Sequence, residues 1–206
     1  MIEAFSLKTA HYFGDALASQ ARLRHRVFVE RRGLTHSSYD GMEYDEFDTP
    51  AAVYLVWRDQ KLVVRGLMRI SPTSMPYMLK SYWPFLCQTR ELPSCSDVWE
   101  VTRVCVDRNF DPYRRKQVFP ELLCALQEFF RMRSIEAMIG VTRPPLLNHF
   151  LRRGVQWLGD IAEIEGELEA AFWVPTEHLR PDAYCRAYGI AHPVLTLEPV
   201  FPRIAA

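Results

Sequence analysis

Residues 97–106 read Asp-Val-Trp-Glu-Val-Thr-Arg-Val-Cys-Val, the most strand-like run in the chain by its β-branched and aromatic content. Two charges, Glu100 and Arg103, sit inside that apolar run. Downstream the period changes to that of a helix. Gln117 to Met132 places Val118, Leu122, Ala125, Leu126 and Phe129 on one face. EAMIGVT (136–142) reads as a buried strand, and PLLNHFLRR (145–153) as a helix closed by Gly154. Strands near 155–160 and 166–174 and a helix near Thr176–Tyr188 follow. The tail from Pro193 reads as irregular and tolerant of loss.

Upstream, AVYLVWR (52–58) and KLVVRGLMRIS (61–71) flank a turn at Asp59-Gln60, the pattern of a β-hairpin. Residues 71–86 carry three prolines and read as a loop leading to a short helix around Met78–Ser81. Asp15 to Arg32 reads as a helix, with Leu17, Ala21 and Phe28 on its apolar stripe. A polar, acidic stretch from His36 to Pro50 follows, with turn signals at Asp40-Gly41 and Thr49-Pro50. Hairpin, strand, helix, strand, helix, strand, strand implies α/β architecture: a mixed, twisted sheet with helices on both faces, a three-layer α-β-α sandwich.

Of 206 residues, 49% are apolar, enough for a core that removes about 70% of the unfolded surface from water. The 25 basic and 25 acidic residues cancel, so no global field points to nucleic acid or an anionic membrane. No run approaches the ~20 apolar residues of a membrane span. The first fifteen residues lack the pattern of a signal peptide, and stable membrane insertion is not expected. Five cysteines form no CxxC pair, so neither a disulfide framework nor a zinc knuckle is expected, and the compartment reads as reducing cytosol. There is no GxSxG elbow, no HExxH and no phosphate loop, and the histidines are scattered.

Two features carry chemistry. Asp40-Gly41-Met42-Glu43-Tyr44-Asp45-Glu46-Phe47-Asp48 crowds five carboxylates among aromatics. Such a loop is either solvated or built around cations; in the second case Tyr44 and Phe47 would pack against an amine or sulfonium. Second, Arg69, Glu100 and Arg103 lie in apolar strands, where an unpaired charge costs several kcal/mol. Asp45, Asp48 and Glu100 are available partners. Glu100 and Arg103 are three apart, so a regular strand separates them, whereas a β-bulge would turn both toward one cleft. A structural ion-pair network and an active site both fit this reading.

Taken together these residues resemble the LuxI-type acyl-homoserine lactone synthases. The likeness runs through Arg24-x-x-x-Phe28, Asp45-x-x-Asp48, the tyrosine of AVYLV, Gly66-x-x-Arg69, PTSMPYML, Phe85 and Trp99-Glu100-x-x-Arg103, and on to Thr142 and Gly154, covering about residues 1–175. Leu34 stands where the family usually has a tryptophan. Pro112-Tyr113-Arg114-Arg115-Lys116 stands where ordinary CoA acetyltransferases have a glycine-rich loop, a departure the family shares.

The resemblance implies one acetyltransferase-like domain over 1–206, with a helix and acidic loop for S-adenosylmethionine (SAM) in 1–50 and the sheet core with an acyl pocket in 51–192. It implies acyl transfer to the SAM amine, lactonisation and release of methylthioadenosine, with SAM and an acyl-CoA or acyl-carrier-protein thioester as substrates and no separate cofactor or metal. It assigns Glu100, Asp45, Asp48, Arg69 and Arg103 to catalysis. Arg24, Phe28 and Leu34, with Asp45 and Arg103, go to SAM. Leu122, Leu126, Met138, Val141, Thr142, Leu146, Phe150 and Trp173 go to the acyl pocket. Arg108, Arg114, Arg115 and Lys116, with Arg152 and Arg153, would meet CoA or a carrier protein. An acyltransferase acting on another amine, and a ligand sensor without turnover, are the rival readings.

Overall fold

The computed structural model describes residues 1–33, 38–145, 154–179 and 182–198. Leu34, Leu146, Phe150, Arg152, Arg153 and the body of the helix expected at 145–153 lie outside them. The described elements are β1 (Ile2–Ser6), α1 (Ala16–Arg24), β2 (Ser38–Tyr39), β3 (Met42–Glu43), β4 (Val53–Arg58), β5 (Val64–Pro72), α2 (Met78–Tyr82) and β6 (Val98–Val106). They continue with α3 (Pro112–Met132), β7 (Ala137–Thr142), β8 (Gln156–Trp157), β9 (Ala162–Ile164), β10 (Glu167–Pro175), α4 (Asp182–Tyr188) and β11 (Leu195–Thr196).

The main sheet runs β11-β1-β4-β5-β6-β7-β10-β8, with β9 also on β10. Its pairs are antiparallel except β1 with β11 and β6 with β7. Side-chain alternation along the strands separates two faces. On one, Leu55, Met68, Val101, Met138 and Phe172 pack beneath α3. On the other, Phe5, Tyr54, Val56 and Leu67 meet α1, while Val98, Ala137 and Ile139 meet Leu79 of α2. Helices on both faces make the expected three layers.

Two irregularities in β6 shape the molecule. Its ladder to β7 holds only at Val98–Ala137, Trp99–Met138 and Glu100–Ile139, although β6 runs on to Val106. Against β5, Leu67 faces Cys105 but Arg69 faces Thr102, so β6 carries one extra residue. Arg103 sits there with φ of 51°, a left-handed conformation unusual for a residue with a side chain. This is the bulge the Glu100–Arg103 spacing calls for.

Four of the departures from the sequence reading bear on the architecture. α3 begins at Pro112, five residues before the expected start, because Asp111 Oδ1 accepts the Arg114 N–H at 2.8 Å and Pro112 occupies the first helical position. The helix expected over 15–32 is α-helical only to Arg24 and continues as wider π-turns from His25 to Arg31. Residues 2–6, unassigned from sequence, form β1; four of the five are buried, Glu3 among them beside Arg58, so no polar face signals a strand. Within the tail from Pro193, the described residues 193–198 are docked rather than irregular. Val194 is buried, β11 pairs with β1, and Glu128 accepts the backbone N–H groups of Val194 and Leu195.

Close approach of β6 and β7 where they begin to part depends on Gly140. A Cβ there would lie 2.7 Å from the Val101 carbonyl oxygen, which is backbone and cannot swing aside. Gly140→Ala should therefore cost about 1–3 kcal/mol in denaturant unfolding. An unchanged midpoint would show that the two strands yield freely at this level.

Candidate active site

Three arginines and three carboxylates meet on the α1–α2 face of the sheet. Arg24, at the end of α1, is wholly buried. Its Nε donates to Glu43, and its other nitrogens donate to Asp48 at 2.7 and 3.0 Å and to Asp45 at 3.4 Å. Arg69, on β5, donates to Asp45, to Asp48 at 3.0 Å and to the Thr102 hydroxyl at 3.0 Å. Arg103, presented by the bulge, donates to Glu43 at 2.9 and 3.1 Å and lies 2.7 Å from Asp45 Oδ2. Tyr54 completes the group by donating to Asp48 at 2.7 Å. Three positive and three negative charges cancel, so burial leaves no net charge to solvate.

The loop is shaped for this. Asp40 and Gly41, with φ of 51° and 67°, reverse the chain between β2 and β3, which turns Glu43 inward. Asp48 Oδ2 accepts the Asp45 N–H at 2.8 Å, and Asp45 Oδ1 accepts the Phe47 N–H at 2.9 Å, which holds the loop in shape. Burial alone would raise the Asp48 carboxyl, but the bonds and charge of Arg24, then Arg69, hold it far below the usual range. Burial likewise opposes the charge on Arg24, yet Asp48 and Glu43 outweigh it and raise its pKa.

Glu100 stands apart from this cluster. It accepts the backbone N–H groups of Met78 at 3.0 Å and Leu79 at 2.7 Å, at the start of α2. Burial dominates and pushes its pKa up to about 7, against the lowering pull of those two N–H groups and of Arg69. A buried carboxyl poised near neutrality is the profile of a general base.

Glu100 and Arg103 both line a cavity of about 590 Å³. Its walls come from both faces of the sheet: Phe28, Met78, Trp83 and Thr102 on one side, and Phe119, Leu123, Leu126, Met138 and Phe172 on the other. It therefore passes through the opening where β6 leaves β7. A second cavity of about 560 Å³ shares Arg31, Val104, Arg108 and Phe119 with the first and adds Arg115 and Lys116. Arg31 has its pKa lowered, first by burial and then by the neighbouring positive charge of Arg108.

Among residues assigned from sequence, Glu100, Arg103, Phe28, Leu126, Met138, Val141, Thr142 and Arg108 come together around the first cavity. Arg24, Asp45, Asp48 and Arg69 do not line it; they form the cluster behind it. Of the acidic loop's five carboxylates, Glu43, Asp45 and Asp48 meet arginines, while Glu46 accepts from the Tyr82 hydroxyl. Leu122 is buried under the sheet against Gly66. Trp173 follows Phe172 on β10 and so faces the opposite side, where Arg90 stacks on it at 3.9 Å. Arg114 turns toward Trp57 and Phe110, away from Arg115 and Lys116. Sequence reasoning did not single out Glu43, Leu123, Phe119 or Phe172. For Glu43 the signal was the Asp40-Gly41 turn, which sets the β3 register.

A mixed sheet splayed at one parallel pair, with a cavity through the splay and a near-neutral carboxyl at its edge, defines an acyltransferase of the N-acetyltransferase-like fold. A putative N-acetyltransferase from Lactobacillus plantarum superposes with a TM-score of 0.56 over 85% of this chain and 98% of that one; at 18% identity the likeness is one of fold alone. The chain belongs to the autoinducer synthase family, whose model matches residues 13–171. An acyl-homoserine-lactone synthase of Pseudomonas aeruginosa is 30% identical over 181 residues, covering 85% of this chain and 87% of that protein. A solved CoA-dependent acyl-homoserine lactone synthase, BjaI, described with SAM and isopentyl-CoA, is 30% identical with a TM-score of 0.84, covering 98% of this chain and 95% of that one.

Removing Arg24 would leave three buried carboxylates to share the two guanidiniums of Arg69 and Arg103, a net negative charge in a buried site. Arg24→Met should cost about 3–5 kcal/mol in denaturant unfolding. Arg22→Ala, which breaks only the exposed pair with Asp15, should change stability by less than about 1 kcal/mol. Equal effects of the two would mean that the buried cluster contributes nothing special.

Asp48 and Glu100 give pH dependences of opposite sign. With its folded pKa lowered, Asp48 stabilises the fold above the ordinary carboxylate pKa, and that contribution is lost as the pH falls through the lowered value. With its folded pKa raised to about 7, Glu100 favours folding below its ordinary value and loses this as pH rises through about 7. Relative to wild type, Glu100→Gln should thus gain stability between about pH 4.5 and 7 by guanidinium unfolding. A difference that stays flat over that range would place the Glu100 pKa elsewhere.

Proposed function

We propose that this chain is an acyl-homoserine lactone synthase that acylates the α-amine of SAM from an acyl-CoA thioester and then closes the lactone. The observation that carries the reading is Glu100, a buried carboxyl titrating near neutrality at the mouth of a cavity that runs through the sheet. Such a group can take a proton from an ammonium at physiological pH, directly or through one water.

In this reading SAM occupies the part of the cavity near Phe28, Met78, Trp83 and Arg103, and the acyl chain lies toward Leu126, Leu123, Met138 and Phe172. Glu100 accepts a proton from the SAM ammonium, and the freed amine attacks the thioester carbonyl. Backbone N–H groups of β6 beyond its ladder with β7 face the developing oxyanion. The C–S bond then breaks and the amide forms; of the two protons the nitrogen gives up, one reaches the departing thiolate by way of Glu100 and the other passes to solvent. In the second step the SAM carboxylate attacks its own γ-carbon, the C–S⁺ bond breaks, and neutral methylthioadenosine leaves. That step requires mainly that the three centres be held in line. Asp45, Asp48, Arg69 and Arg24 act as positioning residues, because their shared bonds fix Arg103 and the loop. Arg31, Arg108, Arg115 and Lys116 supply positive charge for the phosphates of CoA. Both substrates are metabolites of the cytosol, and among the described residues no helix is long and apolar enough to cross a membrane.

The test is incubation with SAM and a panel of acyl-CoA and acyl-carrier-protein thioesters, read by mass spectrometry. Methylthioadenosine and an acyl-homoserine lactone should appear together with an acyl-CoA. Their appearance only with carrier-protein thioesters would replace the donor and keep the reaction. Free thiol without methylthioadenosine would assign the chain to acylation of another amine. Glu100→Gln should lower kcat by about 10²–10⁴ and remove a limb near pH 7 from the kcat/KM profile. An intact limb in the variant would rule Glu100 out as the base.

A further inference from the structure

We propose that Cys124, Cys185 and His192 form a zinc site that fastens the C-terminal segment, α4 and β11, to α3. The site is remote in role from the cavity and independent of the reading of the enzyme's reaction. Cys124 lies on α3, Cys185 on α4 and His192 just before β11. Their two sulfurs and one ring nitrogen all lie within 4.8 Å of one another.

The distances match what a tetrahedral metal asks of its ligands. Two thiolates each about 2.3 Å from zinc, at the tetrahedral angle, stand about 3.8 Å apart. The Cys124 and Cys185 sulfurs are 3.8 Å apart. His192 Nε2 lies 2.8 Å from the Cys185 sulfur, and an intervening zinc would open that separation by about 0.8 Å. His192 Nδ1 lies 2.6 Å from Glu128 Oε1. A carboxylate there holds the ring proton on Nδ1 and leaves the Nε2 lone pair aimed at the sulfurs, the arrangement found behind metal-bound histidines.

Glu128 also accepts the Val194 N–H at 3.1 Å and the Leu195 N–H at 2.8 Å, so the group that orients the histidine also seats the strand that follows it. Cys124 is buried, Cys185 half-buried and the His192 side chain 38% exposed, which leaves the fourth coordination position on the solvent side for water. Two thiolates and one zinc ion sum to zero charge, as a half-buried site requires. Thiolate with imidazole selects zinc over magnesium or calcium. The ligands are 61 and 7 residues apart in pairs, so no short motif announces them.

The experiment uses the full-length reduced protein, stripped with chelator and titrated with Co²⁺. One equivalent should bind, with a thiolate-to-cobalt charge-transfer band and the visible bands of a tetrahedral centre, and Zn²⁺ should bleach both. Cys185→Ser should abolish the charge-transfer band. Glu128→Gln should weaken metal affinity about tenfold to a hundredfold while keeping the band shape. If Cys185→Ser does not fold, peptide mapping of wild type after iodoacetamide decides, since Zn²⁺ should protect Cys185. No charge-transfer band in wild type, a band unchanged in Cys185→Ser, or protection confined to Cys87 and Cys95 would overturn the proposal. So would a protein that takes no cobalt and forms a Cys124–Cys185 disulfide with peroxide; the pair would then be a redox crosslink.

Discussion

The buried exchange between Arg24, Arg69 and Arg103 and the carboxylates of Glu43, Asp45 and Asp48 is the constraint on which the active face depends. Each guanidinium touches at least two of the three carboxylates, and each carboxylate touches at least two guanidiniums. The six groups arrive from α1, β3, the loop after it, β5 and β6. No single element can move without exposing a buried charge to an apolar neighbour, and that penalty is several kcal/mol per ion. An apolar core of the same volume would hold the layers together. It would not dictate where the Asp45–Asp48 loop lies or where Arg103 points, because apolar contact is not directional.

The bulge in β6 is the second part of this arrangement. Without its extra residue, Arg103 would fall out of step with Glu100 and face away from the carboxylate loop. With it, Arg103 reaches Glu43 and Asp45 on one side and the Phe28 ring at 5.2 Å on the other. The unusual backbone of Arg103 is thus held by the salt bridges it makes possible. Strain of this kind persists only where the surroundings over-determine it, and here they do.

Much of this was legible in the chain. Charges embedded in DVWEVTRVCV and LVVRGLMRI, with carboxylates packed into residues 40–48, announce a buried ionic cluster. The three-residue spacing of Glu100 and Arg103 announces a bulge. Partner choice within the cluster was not legible. Arg24 lies on a helix among other arginines, and only the docking of α1 on β5 and β6 shows that it is the one facing inward. The cavity wall was half legible for a related reason. Period-two reasoning requires knowing which side of β10 faces the cavity, and a shift of one residue exchanges Phe172 for Trp173. Residues 2–6 were left unassigned and residues 193–198 read as irregular because β1 is held by β4 and β11 by β1 and Glu128, pairings of long sequence separation that leave no local pattern.

Glu100 owes its character to where the β6–β7 ladder stops. It is the last residue of β6 paired on both sides, to Ser71 of β5 and to Ile139 of β7, so its backbone is fixed as firmly as any in the sheet. One step further, β6 turns away and leaves the cavity open. The carboxyl is therefore held by rigid structure while standing at the edge of the cavity. The two N–H groups of α2 keep the carboxylate oriented, and burial offsets their stabilisation of its charged form enough to bring the pKa to about 7. Had the ladder continued past Glu100, the same residue would be an enclosed acid with nothing to deprotonate. Had it ended earlier, Glu100 would be solvated and ordinary. Its position at the fork is what fixes one carboxyl in place while burial brings its pKa near neutrality.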